Sequence, residues 1–322
     1  MILITGANGL VGSFISRKYL DSGFEVSILV RPSSDLTFLK DIEGKVKIHY
    51  GDVLDVLTLE QAMQGCQTVV HSAAIVSLLA KERKKMFKVN IEGTKNVVNT
   101  CLNTGVEELI HISSIAALGR IKEVKRVDES ANWVRSKLNS AYAETKYLSE
   151  LEVWRGMEEG LKTIVVNPSV VLGIGDWNKS SGRIFKYVQD ENAFYTNGKV
   201  NYIDVRDIAE AVFILHQNRI YGERFILNAG VSTYKDLFNL IAGAMGKKAP
   251  SFRVGSTLLM LAMIFDQLKA FMTRKSPLIT RETVILSEMD FFFDNSKIIE
   301  NTGIDFRPLQ ETVKWVCGSQ TP

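Results

Sequence analysis

The stretch ILITGANGLVG, residues 2–12, decides the fold. An apolar run enters glycines at Gly6, Gly9 and Gly12, and a helical pattern begins near Leu10. Glycines let backbone amides approach a pyrophosphate closely, and the N-terminus of a helix favours its negative charge. The spacing is GxxGxxG rather than the common GxGxxG, and alone it could mark only a tight turn. Its place between a strand and a helix predicts a dinucleotide site.

Short β-branched runs alternate with longer helical patterns through the first half of the chain. Helical patterns lie near residues 10–22, 83–103 and 141–156. The predicted strands begin at Ile2, Glu25, Lys45, Thr68, Leu109 and Lys162. Apolar strands separated by helices indicate a parallel sheet covered on both faces. We therefore expect an α/β fold with a doubly wound parallel sheet of the Rossmann type.

The pattern changes after Pro168, and a mainly helical pattern follows Tyr234. The segment RFILNAG, which begins at Arg224, could return to the sheet. We expect two lobes. Residues 1–168 plus 204–230 would form the dinucleotide-binding domain, and residues 169–203 plus 231–322 the smaller, mainly helical C-terminal substrate lobe.

The composition is that of a globular protein and excludes several classes of function. The 322 residues are 46% hydrophobic and carry a net charge of +3, which gives no reason to expect a nucleic acid partner. Cys66, Cys101 and Cys317 lack the spacing of a zinc site or a disulfide framework, so no metal is expected. The start MILIT leaves no room for a signal peptide, and the longest apolar run, 257–265, is too short to span a bilayer. A cytoplasmic protein without membrane contact is expected.

The choice of cofactor depends on the end of the second predicted strand, which reads VRPSSD. An acid there would bind the ribose 2′-hydroxyl of NAD. Here Arg31 can pair with a 2′-phosphate, Ser33 and Ser34 can donate to it, and the first acid, Asp35, lies past the turn. The pattern favours NADP over NAD, unless Arg31 is an ordinary surface arginine.

Residues 139–151, NSAYAETKYLSEL, place Tyr142 and Lys146 four apart. A second such pair, Tyr195 and Lys199, encloses an Asn-Gly turn signal and is not expected on a helix. Around Tyr142 there is no Gly or Pro from residue 139 to 155, and Asn139 or Ser140 can cap the helix. At this spacing the β-carbons lie about 5 to 6 Å apart. An ammonium this close to a phenol favours phenolate.

Seven motifs, taken in order, resemble the extended short-chain dehydrogenase/reductase family. They are TGANGLVG at Thr5, GDVLD at Gly51, HSAAIVS at His71, VNIEGT at Val89, HISSIAALG at His111, YAETK at Tyr142 and NPSVVLG at Asn167. Later stretches, YIDVRDIAEA at Tyr202 and DNSKIIENTGIDFRP at Asp294, extend the resemblance over nearly the whole chain. Arg31 and the NPS segment most resemble the dihydroflavonol 4-reductase and 3β-hydroxysteroid dehydrogenase branch.

The resemblance implies three catalytic residues. Tyr142 would be the general acid or base, Lys146 would hold the nicotinamide ribose and lower the tyrosine pKa, and Ser114 would hydrogen-bond the substrate oxygen. Ser113 is a possible rival, but Ser114 has the family's spacing to Gly119.

The glycine motif, the strand-end pattern and the resemblance together predict the cofactor-binding residues. They are Gly6, Asn8, Gly9, Leu10, Val11, Gly12, Arg31, Ser34, Asp52, Val53, Ala73, Ala74, Asn90, Tyr142, Lys146, Pro168 and Ser169.

The predicted reaction is NADP-dependent reduction of a ketone or aldehyde to an alcohol. An apolar substrate is favoured by the Met- and Leu-rich residues 256–272, although core packing or a membrane-resting segment would explain them as well. The basic run KERKK at Lys81 is a solvated face or a rim that attracts an anionic substrate such as an acyl-CoA. Helices near 83–103 and 141–156 resemble those of a four-helix homodimer interface.

Two other functions remain open at this stage. A sugar-nucleotide epimerase or dehydratase of the same family would keep NAD bound. The dehydratases have an acidic pair beside the serine or threonine, whereas Ile115 and Ala116 follow Ser114 here. A non-catalytic dinucleotide sensor would tend to lose the tyrosine that this chain retains.

Overall fold

The computed structural model describes residues 1–121, 124–255 and 290–319. The strands described are β1 (Ile2–Thr5), β2 (Val26–Val30), β3 (Lys47–Tyr50), β4 (Thr68–His71), β5 (Glu108–Ile112), β6 (Arg126–Val127), β7 (Lys162–Pro168), β8 (Val170–Leu172), β9 (Phe194–Tyr195), β10 (Lys199–Asp204), β11 (Glu223–Leu227), β12 (Gly230–Thr233), β13 (Phe252–Arg253) and β14 (Phe292–Phe293). The helices described are α1 (Leu10–Asp21), α2 (Val56–Met63), α3 (Arg83–Phe87), α4 (Gly93–Thr104), α5 (Ala141–Glu158), α6 (Gly182–Gln189), α7 (Val205–Gln217), α8 (Tyr234–Met245), α9 (Ser296–Thr302) and α10 (Leu309–Gly318).

Seven parallel strands form the main sheet in the order β3-β2-β1-β4-β5-β7-β11. Every residue of β1, β2 and β4 is buried, as expected of strands covered on both faces. The strand order reverses between β1 and β4, and a ligand crevice forms at the carboxyl ends of the strands beside such a switch point. The predicted doubly wound α/β fold is confirmed, and β11 returns to the sheet.

The two faces of the sheet bury separate apolar clusters. On one face, α1 and α7 cover side chains such as Ile4, Ile28 and Phe225. On the other face, α2, α4 and α5 cover Leu3, Leu109 and Val165. Because these helices fix the sheet from both sides, the carboxyl edge is a rigid platform for loops that carry side chains.

The local sequence explains where α5 begins and ends. Ser140 caps the helix, because its hydroxyl accepts a hydrogen bond from the Ala143 amide. The helix passes Gly156 and ends at Glu158, and Gly160 follows with φ of +109°. Tyr195 and Lys199 lie on separate strands, β9 and β10.

A smaller layer forms from later parts of the chain. Its sheet has the order β12-β10-β8, and α6, α8 and α10 enclose a third apolar cluster with it. Helix α9, by contrast, places Ile298 in the cluster on the α1 and α7 face of the main sheet. The predicted apolar segment 256–272 lies outside the described residues.

A polar cluster lies at the amino edge of the main sheet. The Glu108 carboxylate accepts hydrogen bonds from the Thr68 hydroxyl (2.6 Å) and the Tyr221 hydroxyl (2.5 Å) and lies 2.8 Å from His216 Nε2. Tyr19 Oη lies 3.0 Å from His216 Nδ1. These contacts hold the pKa of Glu108 at about 2, His216 being the largest contributor and burial opposing it. The cluster ties α7 to the start of β4 and β5, at the edge opposite the predicted site.

Candidate active site

The glycine loop joins β1 to α1 at the carboxyl edge of the sheet. Gly6 has φ of +69°, and a β-carbon there would lie 2.6 Å from the Ala73 nitrogen. A β-carbon on Gly12 would lie 2.4 Å from the Gly6 carbonyl oxygen. Side chains at these positions would clash with backbone, so glycine is required.

The same loop leaves amide groups for a ligand. Gly9 is the residue before α1 and has no side chain to cap it. The first amides of a helix, here those of Leu10, Val11 and Gly12, lack partners within the helix. Such amides and the helix dipole suit a pyrophosphate, so the residues present fit a dinucleotide.

The segment that follows β2 forms a turn and has no acid before Asp35. Arg31 is exposed directly after the strand, and the Ser34 amide donates to the Arg31 carbonyl. The Asp35 carboxylate accepts from the Thr37 amide (2.9 Å) and hydroxyl (2.6 Å), which lowers its pKa. The nearest acid is thus engaged locally. Asn8 donates to the Asp35 carbonyl at 3.5 Å, which joins the two loops.

The loop after β3 positions Asp52 and Val53. The Asp52 carboxylate turns back to accept from the Leu54 amide at 3.0 Å. Val53 is 6% exposed and its side chain belongs to the core, so its backbone is the part that could border an adenine. The close approach of Val53 to Gly93 explains the glycine at the start of α4.

Asn90 has a structural role that the motif did not reveal. Its amide accepts from the Ile75 amide (2.8 Å) and donates to the Ile75 carbonyl (3.0 Å) and the Thr145 hydroxyl (3.0 Å). It therefore fixes the segment after β4, which contains Ala73 and Ala74, against α5.

Ser114, Tyr142 and Lys146 lie at the same carboxyl edge. Ser114 follows β5; its Oγ accepts from the Ala116 amide at 3.2 Å, and its hydroxyl hydrogen-bonds the Tyr142 side chain. Tyr142 lies one turn before Lys146 on α5, which packs against the short helical turn Ile115–Leu118. The Lys146 ammonium donates to the Ile112 carbonyl at 2.9 Å.

Burial shifts both titrating groups toward their neutral forms. It raises the pKa of Tyr142 to about 12, and the neighbouring Ser114 hydroxyl opposes this. The direction is opposite to the lowering that was expected from Lys146, because the effect of burial is larger than that of any opposing contact. It lowers the pKa of Lys146 to about 8, and the Glu150 carboxylate opposes this. Beneath Lys146 the rings of His71 and His111 lie 5.3 Å apart, and burial lowers both their pKa values, so both stay neutral. The lysine is thus the cation of this buried layer.

The segment after β7 closes the site. Pro168 ends that strand, and the Ser169 amide donates to the Leu227 carbonyl at 2.9 Å. Asn167 is fully buried and donates to the Ser114 carbonyl at 2.9 Å. The Leu10 side chain lies against Gly173 in the following loop.

Arg120 is a candidate site residue that sequence reasoning missed. It follows Gly119, six residues after Ser114, and it interacts electrostatically with Tyr234 at the start of α8. Burial lowers the pKa of Arg120 to about 10. Its position after the SSIAALG motif was the available signal. A half-buried guanidinium beside a phenol suits a substrate oxygen.

The basic run is at the rim of this edge. Arg83 forms an ion pair with Glu144, two residues after Tyr142, at 3.4 Å. Its guanidinium also lies over the Phe87 ring, 4.9 Å from the centroid. Lys84, Lys85 and Lys88 are exposed beside it.

Comparison with known proteins assigns the family. The family model described as NAD dependent epimerase/dehydratase family matches residues 2–230. The chain belongs to this family. Members of the extended short-chain dehydrogenase/reductase group recur among its relatives, which confirms the resemblance carried by the motifs. It is an NAD(P)-dependent enzyme of the oxidoreductase type.

Named relatives of this family member include reductases and dehydrogenases. It is 31% identical over 308 residues to a protein of Synechocystis sp. named "Putative dihydroflavonol 4-reductase", covering 94% of this chain and 89% of the relative. It is 27% identical over 281 residues to a 3-beta-hydroxysteroid dehydrogenase of Mycolicibacterium neoaurum, covering 82% and 75%. The crystal structure of gox2253 superposes with a TM-score of 0.84 at 30% identity, covering 99% and 98%. Among the described residues, no helix is long and apolar enough to cross a membrane.

Proposed function

We propose that the protein is an NADP-dependent reductase that converts a carbonyl compound to an alcohol. The observation that carries the proposal is the meeting of Ser114, Tyr142 and Lys146 at the carboxyl edge, beside the glycine loop. A bound nicotinamide would supply the hydride that reduces the carbonyl carbon. Gly6, Gly9 and Gly12 would hold the pyrophosphate.

The side chains of this protein would handle the oxygen and the proton. The Ser114 hydroxyl would donate to the carbonyl oxygen of the substrate. Its Oγ accepts from the Ala116 amide, and this contact orients the hydroxyl. Tyr142 gives its proton to the developing alkoxide. Its pKa of about 12 in the buried site keeps it protonated near neutral pH, as a general acid must be. Lys146, cationic below about pH 8, favours the phenolate that remains.

Arg31 supports NADP rather than NAD. It is exposed after β2, where a 2′-phosphate would lie, and the nearest acid, Asp35, is engaged by Thr37. Ser34 is the second candidate donor to that phosphate. An epimerase that keeps NAD bound is less well supported, because Arg31 stands at the strand end where an acid would bind the ribose. A dehydratase is less well supported, because Ile115 and Ala116 rather than an acidic pair follow Ser114.

The substrate is proposed to be an apolar ketone or aldehyde. Relatives named for dihydroflavonols, hydroxysteroids and cinnamoyl-CoA support a bulky carbonyl compound. Arg120 would bind an oxygen atom at the polar end of this substrate. The domain division at residues 168, 204 and 231 is part of the same proposal.

A homodimer through α4 and α5 is also proposed. On α5, Leu151 is 44% exposed and Trp154 is half-buried. Trp133 stacks on Tyr147 of the same helix, with centroids 4.7 Å apart. These partly exposed apolar and aromatic side chains suit a second copy.

Turnover of NADPH with a panel of apolar ketones and aldehydes tests the proposal. We expect reduction by the wild-type protein and a loss of about 10² to 10⁴ in kcat for Tyr142→Phe, with folding retained, because the phenol proton is the one transferred. The matched control is Tyr195→Phe, which removes the phenol of the other Tyr/Lys pair and should leave kcat unchanged. Equal kcat values for Tyr142→Phe and wild type would refute the assignment.

A further inference from the structure

Glu150 is a buried acid that the proposed reaction leaves without a role. It lies one helical turn after Lys146 on α5, and the two residues are 1% and 2% exposed. At this spacing their β-carbons lie about 5 to 6 Å apart. Burying a carboxylate is costly unless it is paired and hydrogen-bonded, so its partners indicate what it holds.

The first partner connects Glu150 to the backbone of Ser114. The Asn167 amide donates to Glu150 Oε1 at 2.6 Å and to the Ser114 carbonyl at 2.9 Å. Both donors of one buried amide are therefore used, and the carboxylate fixes the orientation of that amide. The chain of contacts runs from α5 through β7 to the residue that would bind the substrate oxygen.

The second set of partners is charged. Arg224 of β11 approaches Glu150 Oε2 at 3.5 Å and is itself anchored, donating to the Glu129 and Ala131 carbonyls at 2.8 and 2.7 Å. On the other side, the carboxylate opposes the effect of burial on Lys146. The acid thus lies between a fixed guanidinium and the lysine of the site.

Other groups around Lys146 do not supply this negative charge. On α5 itself, Tyr142 is a protonated phenol near neutral pH. From β4 and β5, His71 and His111 face the lysine as neutral rings. Burial raises the pKa of Glu150, while Ser113, Asn167, Arg224 and Lys146 oppose that shift.

We propose that Glu150 is a positioning residue of the active site, which keeps Lys146 cationic through its charge and fixes Ser114 through Asn167. The inference rests on the proposed function. It assigns two separable effects to one carboxylate, one on charge and one on geometry. Two substitutions separate them.

Glu150→Gln removes the charge and keeps an oxygen that can accept from Asn167. Both kcat and the Kd of NADPH, the latter by fluorescence, are measured across about pH 6 to 10. In the wild-type protein we expect activity and affinity to fall as Lys146 loses its proton near pH 8. In Glu150→Gln that fall should move to lower pH by about one pH unit, because the carboxylate that opposes the effect of burial on Lys146 is removed.

Asn167→Ala removes the link to Ser114 and keeps the charge. We expect kcat to fall by about tenfold to a hundredfold with the alkaline midpoint unchanged, because a misplaced group costs rate without altering the lysine. The control is Glu152→Gln on the same helix, where the half-buried Glu152 pairs with Arg155. Glu152→Gln should leave both kcat and the alkaline midpoint as they are in the wild-type protein.

Coincident pH profiles for Glu150→Gln and the wild-type protein would overturn the inference. So would an alkaline midpoint that moves as far in Asn167→Ala as in Glu150→Gln. Should Glu150→Gln not fold, Glu150→Asp and Glu150→Asn form a second pair of variants that differ from each other in charge alone, and the same displacement of the pH profile is expected between them. If the wild-type protein bound neither NADPH nor NADH, the proposed function would fail and the inference with it. Binding with coincident profiles would refute the inference alone.

Discussion

Glu108→Gln tests how much the polar cluster at the amino edge of the sheet stabilises the fold. Its contacts hold the pKa of Glu108 at about 2, against an ordinary 4.5. A difference of this size corresponds to about 3 kcal/mol of stability at 1.36 kcal/mol per pH unit. The side chain is 16% exposed, so solvent screening reduces the expected contribution to about 2 kcal/mol.

The sign follows from the direction of the shift. Because the pKa is lower in the folded protein, the contribution is fully present above about pH 4.5 and is lost as the pH falls toward 2. Glutamine keeps the shape and loses the charge. We therefore expect Glu108→Gln to lower the free energy of unfolding by about 2 kcal/mol at pH 7. The difference in this free energy between the wild-type protein and the variant should become smaller at low pH.

Urea unfolding followed by far-UV circular dichroism, at about pH 7 and about pH 3, measures both quantities. The control is Glu107→Gln, because the Glu107 side chain is 59% exposed and pairs with Lys162 at the surface. It should change stability by less than about 1 kcal/mol. The reasoning would be refuted if both variants lost the same free energy of unfolding. It would also be refuted if the difference between Glu108→Gln and the wild-type protein were the same at low pH as at about pH 7.

Three further predictions concern the proposed site. Arg31→Ala should weaken NADPH binding by about tenfold or more and leave NADH binding unchanged, as measured by fluorescence titration, because the guanidinium would contact only the 2′-phosphate. Gly12→Ala should abolish binding of both cofactors, since its β-carbon would lie 2.4 Å from the Gly6 carbonyl oxygen, whereas Gly243→Ala, with open space around it on α8, should bind normally. Arg120→Met should raise KM by about tenfold or more for substrates with a second oxygen group and little for those without one, and equal changes in both would contradict its proposed contact.

The fold was predictable because its decisive signals are local. The apolar strands, the glycine loop and the capped helix around Tyr142 each depend on a few neighbouring residues, and all are present. Helix α2 was not predicted, although Asp55 caps it by accepting from the Leu57 and Thr58 amides. It has only eight residues, too few for a clear periodicity. Helix α7 was not predicted either, because the motif YIDVRDIAEA, which contains its first residues, was interpreted only as part of the family resemblance.

The contacts within the site could not be predicted from the sequence, for a different reason. The pairings of Glu150 with Asn167 and of Arg120 with Tyr234 join residues far apart in the chain. No spacing rule relates them, because the fold alone brings them together. Because the sequence of α5 has almost no amphipathic pattern, its buried acid Glu150 cannot be distinguished in sequence from a solvated one.

Asn90 shows what this means for assigning roles from a motif. Its side chain joins Ile75, after β4, to Thr145 of α5, and the Thr145 hydroxyl in turn donates to the Tyr142 carbonyl at 2.8 Å. The Ser149 hydroxyl closes the network by donating to the carbonyls of both Asn90 and Thr145 at 2.7 Å. A residue that ties the segment after β4 to α5 fixes their relative position, whether or not it touches a cofactor. Its place in the VNIEGT motif is therefore explained by rigidity, since these contacts set where Tyr142 lies relative to the glycine loop.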